Sequence, residues 1–522
     1  MIVKTALAAQ SFDTFAPYLI IGLYFLAMVI IALISHKKSR TLNSFFLADR
    51  GIGGWISAFA YGTTYFSAVV FVGYAGKFGM SMGLAAVWIG IANAFLGAFL
   101  PWVVLGKRTR RMTQRINSGT MPTFFEKRYD DRKLKLVSSI IIFVFLIPYS
   151  TSVYQGLGMI FEMVFGVSFY WCIIIMACIT ALYLFVGGYF ATALSDFLQG
   201  LIMLAGVITM VALMMKTPQV NGIEGLKTLT QSGYGLVPSF TSTDKVINSP
   251  GFNLIVLIVL TSFGVWSLPQ IVHKFNVVRD NSAIKKAAVI STIFALIIGG
   301  LAYFNGGLAR LFFPDAFPAG GADAVIPSML INAGFSKAML AFILVLVLAA
   351  SMSTLSSLTL CSASAVAIDA YKGFIRTKAK DNEVKTLLRT LCIVFIGISA
   401  VLAIFRVDAI VTLMSLSWGC LAGCFSGPYI YGLYSKKITA AAVMTSLISG
   451  VTLTIGLVIT FGAVEGGSTF GEIIKLGIAR SPLIGVICMA FSMIITPVVS
   501  IFTKKPDPEK VAFCFSEGEI KE

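Results

Sequence analysis

Residues 54–79 read GWISAFAYGTTYFSAVVFVGYAGKFG, and a uniform membrane helix is not written this way. The run is long enough and apolar enough to cross a bilayer, which takes about 20 residues of helix. Gly62, Thr63, Thr64, Tyr65 and Ser67 nevertheless interrupt it, and further glycines follow. In hydrocarbon every backbone amide and carbonyl needs a partner. A helix can open there only where hydroxyls re-satisfy the freed groups and the unwound carbonyls become ligands. The bland alternative is close helix packing through small residues.

The surroundings of this stretch have the same solvent. The chain has 522 residues, of which 57% are hydrophobic and 12% charged, and its mean hydropathy is +0.89. A water-soluble chain of this length has no means of hiding that much Leu, Ile, Val, Phe and Met. The composition therefore reads as an all-α integral membrane protein and excludes soluble enzymes and DNA-binding modules. A net charge of +17 would fit nucleic acid, but the basic residues fall in short loops between apolar runs, which is a topology signal. The cysteines lie in apolar runs except Cys514, so no disulfide framework is indicated. His36 and His273 border loops and have no partners at metal-ligand spacing, which points to interfacial packing and leaves sodium as the only metal in the reading. The segment MIVKTALAAQ is too short for the apolar region of a signal peptide, so the first span is expected near Pro17.

Thirteen apolar runs are counted, at about 17–36, 51–76, 81–106, 136–163, 168–187, 189–215, 251–271, 287–312, 336–369, 390–405, 409–434, 438–462 and 482–502. Of the 40 Lys and Arg residues, 30 fall on the face carrying loops 37–50, 107–135, 272–286, 372–389 and 436–437 and the tail from Lys504, against 10 on the other. The positive-inside rule then puts the N-terminus outside and the C-terminus in the cytoplasm of a multi-pass cell-membrane protein. Loops 216–250 and 313–335 read as solvated external connectors. Loop 107–135 is a topology anchor, basic enough to gain about 1 kcal/mol per basic residue beside anionic headgroups. The expected organisation is 1–50 as N-terminus, first span and loop, 51–434 as a ten-helix transport core, 435–502 as two peripheral spans, and 503–522 as a disordered tail.

Polar residues inside the spans carry the functional signal, because each is costly in hydrocarbon without a partner or a role. Residues 346–365 read LVLAASMSTLSSLTLCSASA, with Ser351, Ser353, Thr354, Ser356, Ser357 and Thr359 within nine residues. On a helix Ala350, Ser353, Thr354 and Ser357 share one face, so the hydroxyls of Ser353 and Thr354 can converge with the carbonyl of Ala350. Two carbonyls from the broken helix would complete a five-oxygen cage, which suits a hard alkali cation such as sodium. A second polar feature is Asp196 in GGYFATALSDFLQGLIM (187–203), with no basic residue within four positions. It is read either as ionised beside a cation, with Ser356 and Ser357 supplying further ligands, or as a proton carrier, or as a helix cap near Gly187-Gly188.

At these residues the sequence resembles the sodium:solute symporter family. The carrying motifs are GGYFATALSDFLQGLIM, AASMSTLSS followed by DAYK, FGVWSLPQIVHKF with RDNSAIKKA after it, and SLSWGCLAGCFSGP. The resemblance implies thirteen spans, ten of them forming two inverted five-helix repeats of the leucine-transporter fold. It also implies a sodium site made by the carbonyls of Thr63 and Phe66 with Ala350, Ser353 and Thr354. Some members hold a second sodium, and here its ligands would be Asp196, Ser353, Ser356 and Ser357.

The implied function is symport, without covalent chemistry or a cofactor, of sodium and a small organic solute across the lipid bilayer, and no protein partner is evident. The proline branch has an acid where this chain has Tyr65, and the sialic-acid branch has an arginine where this chain reads SVYQG at 152–156. The stretches TTYFSAVVFVG, FGVWSLP, LARLFFPD and DAVIPSM are similar to the pantothenate permeases. They imply a small carboxylate such as pantothenate, proline or another monocarboxylate, received by the amides of a broken helix. Tyr65, Ser67, Tyr154, Gln155, Trp266 and Trp418 are the solute-side candidates. The rivals are a proton-coupled permease using Asp196, a membrane sensor, which would need a signalling domain the sequence lacks, and an intramembrane hydrolase, which would need a base near its serines.

Overall fold

Apolar side chains alternate with small and hydroxyl residues at helical spacing, and the chain folds accordingly. The computed structural model describes residues 2–36, 41–241 and 246–516, and among these every long element is a helix. The main helices are α1 (Ile2–His36), α2 (Gly54–Tyr65), α3 (69–82), α4 (83–115), α5 (Arg132–Phe165), α6 (Phe169–Met214), α7 (Pro250–Phe263), α8 (Pro269–Asn276) and α9 (Asn281–Phe312). They continue as α10 (Lys337–Ile375), α11 (Asp381–Ile404), α12 (Ile410–Tyr434), α13 (Ala440–Val464), α14 (Ser481–Phe502) and α15 (Pro508–Phe515).

Among the described residues eleven helices are long and apolar enough to cross a membrane, against the thirteen spans expected. The two differences have local causes. The expected second span is broken into α2 and α3, and its second half runs on into α4 through Gly83. The expected fifth span, 168–187, is a shorter apolar helix, Phe169–Phe185, joined to the sixth at Gly188. Gly188 has φ 59° and ψ −159°, a conformation that a side chain resists, and an added Cβ would lie 2.6 Å from the Phe45 ring.

α10 and α12 are the most enclosed of these helices, whereas α1, α13 and α14 bury only a minor share of their surface. This agrees with their sequences: α10 and α12 carry the hydroxyl and glycine runs, and the outer helices present Leu33, Ile34, Ile455 and Ile494 outward. Small residues let helices cross backbone to backbone. A Cβ on Gly79 would meet the Gly306 carbonyl carbon at 2.1 Å, and one on Gly90 would meet that of Gly299 at 2.4 Å, so α3 and α4 both lie directly on α9.

Several loops are more ordered than their composition implies. The connectors expected on the outside, 216–250 and 313–335, contain the helices Ile223–Gln231 and Val325–Asn332, and the second buries Val325, Ile326, Met329 and Leu330. In loop 107–135, Arg110 donates to the Val278 carbonyl at 3.1 Å and Arg128 to that of Gly432 at 2.9 Å, so these two bases hold chain ends rather than headgroups. The tail is not disordered through its described part: Asp507 caps α15, Pro508 occupies its first turn, and Val511 and Cys514 are buried. The parts of the expected loops at 37–40 and 242–245, the His36 side chain and the tail residues 517–522 lie outside the described residues.

Candidate functional site

α2 ends at Tyr65, and Phe66 is extended, with φ −106° and ψ 112°. Ser67 restarts the helix, its hydroxyl accepting the Val69 amide at 3.2 Å and its carbonyl the Val70 amide at 3.0 Å. The interruption expected from GTTYFS is therefore a real break, and the last-turn carbonyls of α2 are released from helical pairing. α10 passes directly beside them. The Ser353 hydroxyl lies 3.0 Å from the Thr63 carbonyl oxygen and 3.0 Å from that of Ala350. The Thr354 hydroxyl lies 3.3 Å from the former and 3.1 Å from the latter.

Four of the five expected ligands thus meet at one point, and Phe66 is the extended residue of the break beside it. Oxygens at about 2.4 Å from one ion, the calcium range and close to that of the similarly sized sodium, stand roughly 3.4 Å apart when their directions are at right angles. The observed spacings are of that order. All five residues are buried, so the hydroxyls would exchange their bonds to carbonyls for a shared cation.

Aromatic residues line the other side of the break. The Tyr65 ring stacks on Trp418 at 6.1 Å between centroids, and Trp418 meets Tyr149 edge-on at 5.7 Å. The Tyr65 hydroxyl is committed to the Thr261 carbonyl at 2.7 Å. Among the described residues both ends of the Gln155 amide are buried without hydrogen-bond partners, and the Trp418 indole N–H and the Tyr149 hydroxyl are buried facing one another, with Ser67 beside Tyr149 and no close acceptor for either. Buried polar groups are seldom left so, and such groups suit a polar solute. Ser67 is buried at the break close to Tyr149.

Two expected solute residues stand elsewhere. Trp266 is half-buried, packs on Phe263 and donates its N–H to the Leu96 carbonyl at 2.8 Å, which is a packing role. Tyr154 is buried on the α6 side, near Thr180.

Asp196 is not the solitary carboxylate that its neighbours in sequence suggest, nor is it a helix cap, since it lies well inside α6. Lys274 comes to it from α8, with its ammonium nitrogen 3.5 Å from Asp196 Oδ2 and 2.9 Å from Ser357 Oγ. The Ser357 hydroxyl is also 3.0 Å from that of Thr64. Ser356 turns away and donates to the Ser353 carbonyl at 2.9 Å. Residues 272–276, expected as part of a cytoplasmic loop, belong to α8 and are buried, with His273 packed between the rings of Phe46 and Tyr189. Lys274, Thr64 and Tyr149 are the residues that sequence reading missed. Lys274 does stand inside the quoted motif FGVWSLPQIVHKF, where it counted only as a topology charge.

The family model for sodium:solute symporters matches residues 45–450. The chain belongs to the sodium:solute symporter family. Among its curated relatives are the osmoregulated proline transporter OpuE of Bacillus subtilis, 28% identical over 503 residues covering 93% of this chain and 94% of that one. Another is a sodium/proline symporter of Staphylococcus aureus, 29% identical over 515 residues covering 96% of each. A sodium-coupled sialic acid symporter, solved in a substrate-bound outward-open state, superposes with a TM-score of 0.72 at 17% identity, covering 94% of this chain and 99% of that one. That likeness shows the leucine-transporter-like fold. The family is one of membrane transporters and not of enzymes, and the family resemblance read from the motifs is thereby borne out.

Proposed function

We propose that the protein couples sodium entry to the uptake of a small carboxylate, of which proline is the first candidate, by alternating access. The observation that carries this reading is the meeting of Thr63, Ala350, Ser353 and Thr354 oxygens at the break in the α2–α3 pair. One break serves both cargoes. Its α2 side offers carbonyls to the ion, and its α3 side begins a helix whose positive dipole end favours a carboxylate. The Gln155 amide, with the Trp418 and Tyr149 donors that have no close acceptor, then holds the rest of the solute. The relatives named as proline transporters support proline; pantothenate and other monocarboxylates remain the alternatives raised by the motifs. Sodium entry down its gradient is aided by the membrane potential, at about 2.3 kcal/mol per charge per 100 mV.

The basic-residue asymmetry supports an orientation with the N-terminus outside and the C-terminus in the cytoplasm. The test of function is uptake of labelled proline, pantothenate and short monocarboxylates into proteoliposomes with and without an inward sodium gradient. The reading expects accumulation of one of these only with sodium. Uptake that ignores sodium and follows pH would overturn it in favour of proton coupling.

A further inference from the structure

The site around Asp196 already contains a cation. Lys274 is 1% exposed and Asp196 is fully buried, and their charged atoms are 3.5 Å apart. The ammonium also sits 5.2 Å from the centre of the Tyr189 ring, an orientation that favours a positive charge. An ammonium only donates, so the Ser357 oxygen accepts from it, and either hydroxyl can donate in the Ser357–Thr64 pair. In that arrangement one of the two Ser357 lone pairs is taken by Lys274. Of the ligands the family resemblance implies for a second sodium, Asp196 and Ser357 are thus engaged by Lys274, and Ser356 is directed at a backbone carbonyl.

We infer that Lys274 is a tethered cation that takes the place of a second sodium, so that each cycle carries one sodium with the solute. This inference rests on the sodium-coupled reading above. Charge balance argues for it: Asp196 and Lys274 neutralise one another, and a sodium added beside them would be a buried charge without a counter-ion, which is costly. The position also gives Lys274 a link to the remaining sodium. Ser357 bonds Thr64, and Thr64 adjoins Thr63, whose carbonyl faces Ser353 and Thr354. Lys274 is therefore a positioning residue for the broken helix as well as a substitute ion. The Asp196 Oδ1 atom has no partner, which leaves the carboxylate able to accept a metal once the ammonium is gone.

The test counts sodium. Equilibrium binding of radioactive sodium to purified protein, and the ratio of sodium to solute flux in proteoliposomes, should both give one for the unaltered protein, with a Hill coefficient near 1. Lys274→Met removes the charge but keeps the length and should raise the count to two and the Hill coefficient toward 2. Lys274→Arg should keep one. In Asp196→Asn/Lys274→Met the opened site has lost its anion and the count should return to one.

A count of two in the unaltered protein overturns the inference, as does a count of one in a folded Lys274→Met variant. If that variant fails to fold, the unaltered protein alone decides, and the double variant, which removes both charges, reports whether the pair is needed for structure. No sodium binding at all would instead sink the sodium-coupled reading, which is a distinguishable result.

Discussion

Removing the Ser353 hydroxyl should weaken sodium binding about tenfold while leaving the protein folded. In the structure this oxygen lies 3.0 Å from both the Thr63 and the Ala350 carbonyl oxygens. A hydrogen bond to a charged group contributes about 1.5–3 kcal/mol, and a single ligand to a monovalent ion belongs in the same range. The lower end applies here, because a small residue leaves room for a water and Thr354 remains beside Thr63 at 3.3 Å. At 1.4 kcal/mol per decade, about 1.5 kcal/mol is roughly a tenfold loss. Ser353→Ala and Thr354→Ala should each raise the sodium concentration for half-maximal uptake by about that factor. Thr354→Ser keeps the oxygen and should change it little. The double Ala variant tests coupling between neighbours, whose effects need not add. The assay is initial uptake against sodium concentration in proteoliposomes at fixed solute, with melting temperature as the folding control. Unchanged sodium dependence in both single variants, with the protein intact, would refute the cage.

Trp418→Phe and Tyr149→Phe each remove a buried donor that has no close acceptor while keeping the ring, so the solute KM should rise about two- to tenfold, as a neutral hydrogen bond of about 0.5–1.5 kcal/mol implies. Half-maximal sodium should move little in either, and an unchanged solute KM in both would remove them from the solute site. Trp266→Phe, whose N–H serves the Leu96 carbonyl, should leave solute KM unaltered. Gly306→Val places a side chain where an added Cβ already lies 2.0 Å from the Ala75 carbonyl oxygen; it should lower the melting temperature and surface expression, and a normal melting curve would contradict the close crossing of α3 and α9. Single cysteines in 216–241 should react with impermeant reagents from outside, and those in 107–135 and 372–389 should not, once the native cysteines are replaced; the reverse pattern would invert the orientation.

Local spacing carried much of the site into the sequence. The i, i+3 and i+4 relation of Ala350, Ser353 and Thr354 needs only helical geometry, and the structure places those oxygens within about hydrogen-bonding distance of one another. The break in 54–79 is legible in the cluster of Gly62, Thr63, Thr64 and Ser67 within an apolar run, although close packing through small residues would be written much the same way. What a single sequence hides is contact between distant segments. Lys274 lies 78 residues from Asp196 along the chain, at the end of an apolar stretch where basic residues ordinarily mark a loop. Trp266 and Trp418 look alike in sequence, each in a run of small residues, and only the neighbours of each indole N–H separate packing from solute contact. The helix Pro508–Phe515 had a readable signal in Asp507-Pro508, a cap followed by a first-turn proline, which the mixed charge of the tail obscured.

Coupling in such a protein requires that ion and solute bind better together than apart, and the geometry supplies a physical route. α2, which carries the proposed ion ligand Thr63, and the start of α3 are separated only by Phe66, Ser67 and Ala68. An ion that fixes the Thr63 carbonyl against α10 also fixes the residue from which the chain restarts as α3. In the proposed cycle the ordering of that short segment is then already met when the solute arrives, which is positive cooperativity through a shared loss of conformational freedom. The same segment is held from the far side by the Lys274–Ser357–Thr64 chain. A change at either end is felt at one broken helix, and α3 transmits it to α9 through the direct contact of Gly79 and Gly306. At a crossing this close no side chain stands between the backbones of α3 and α9, so a shift of α3 presses directly on α9.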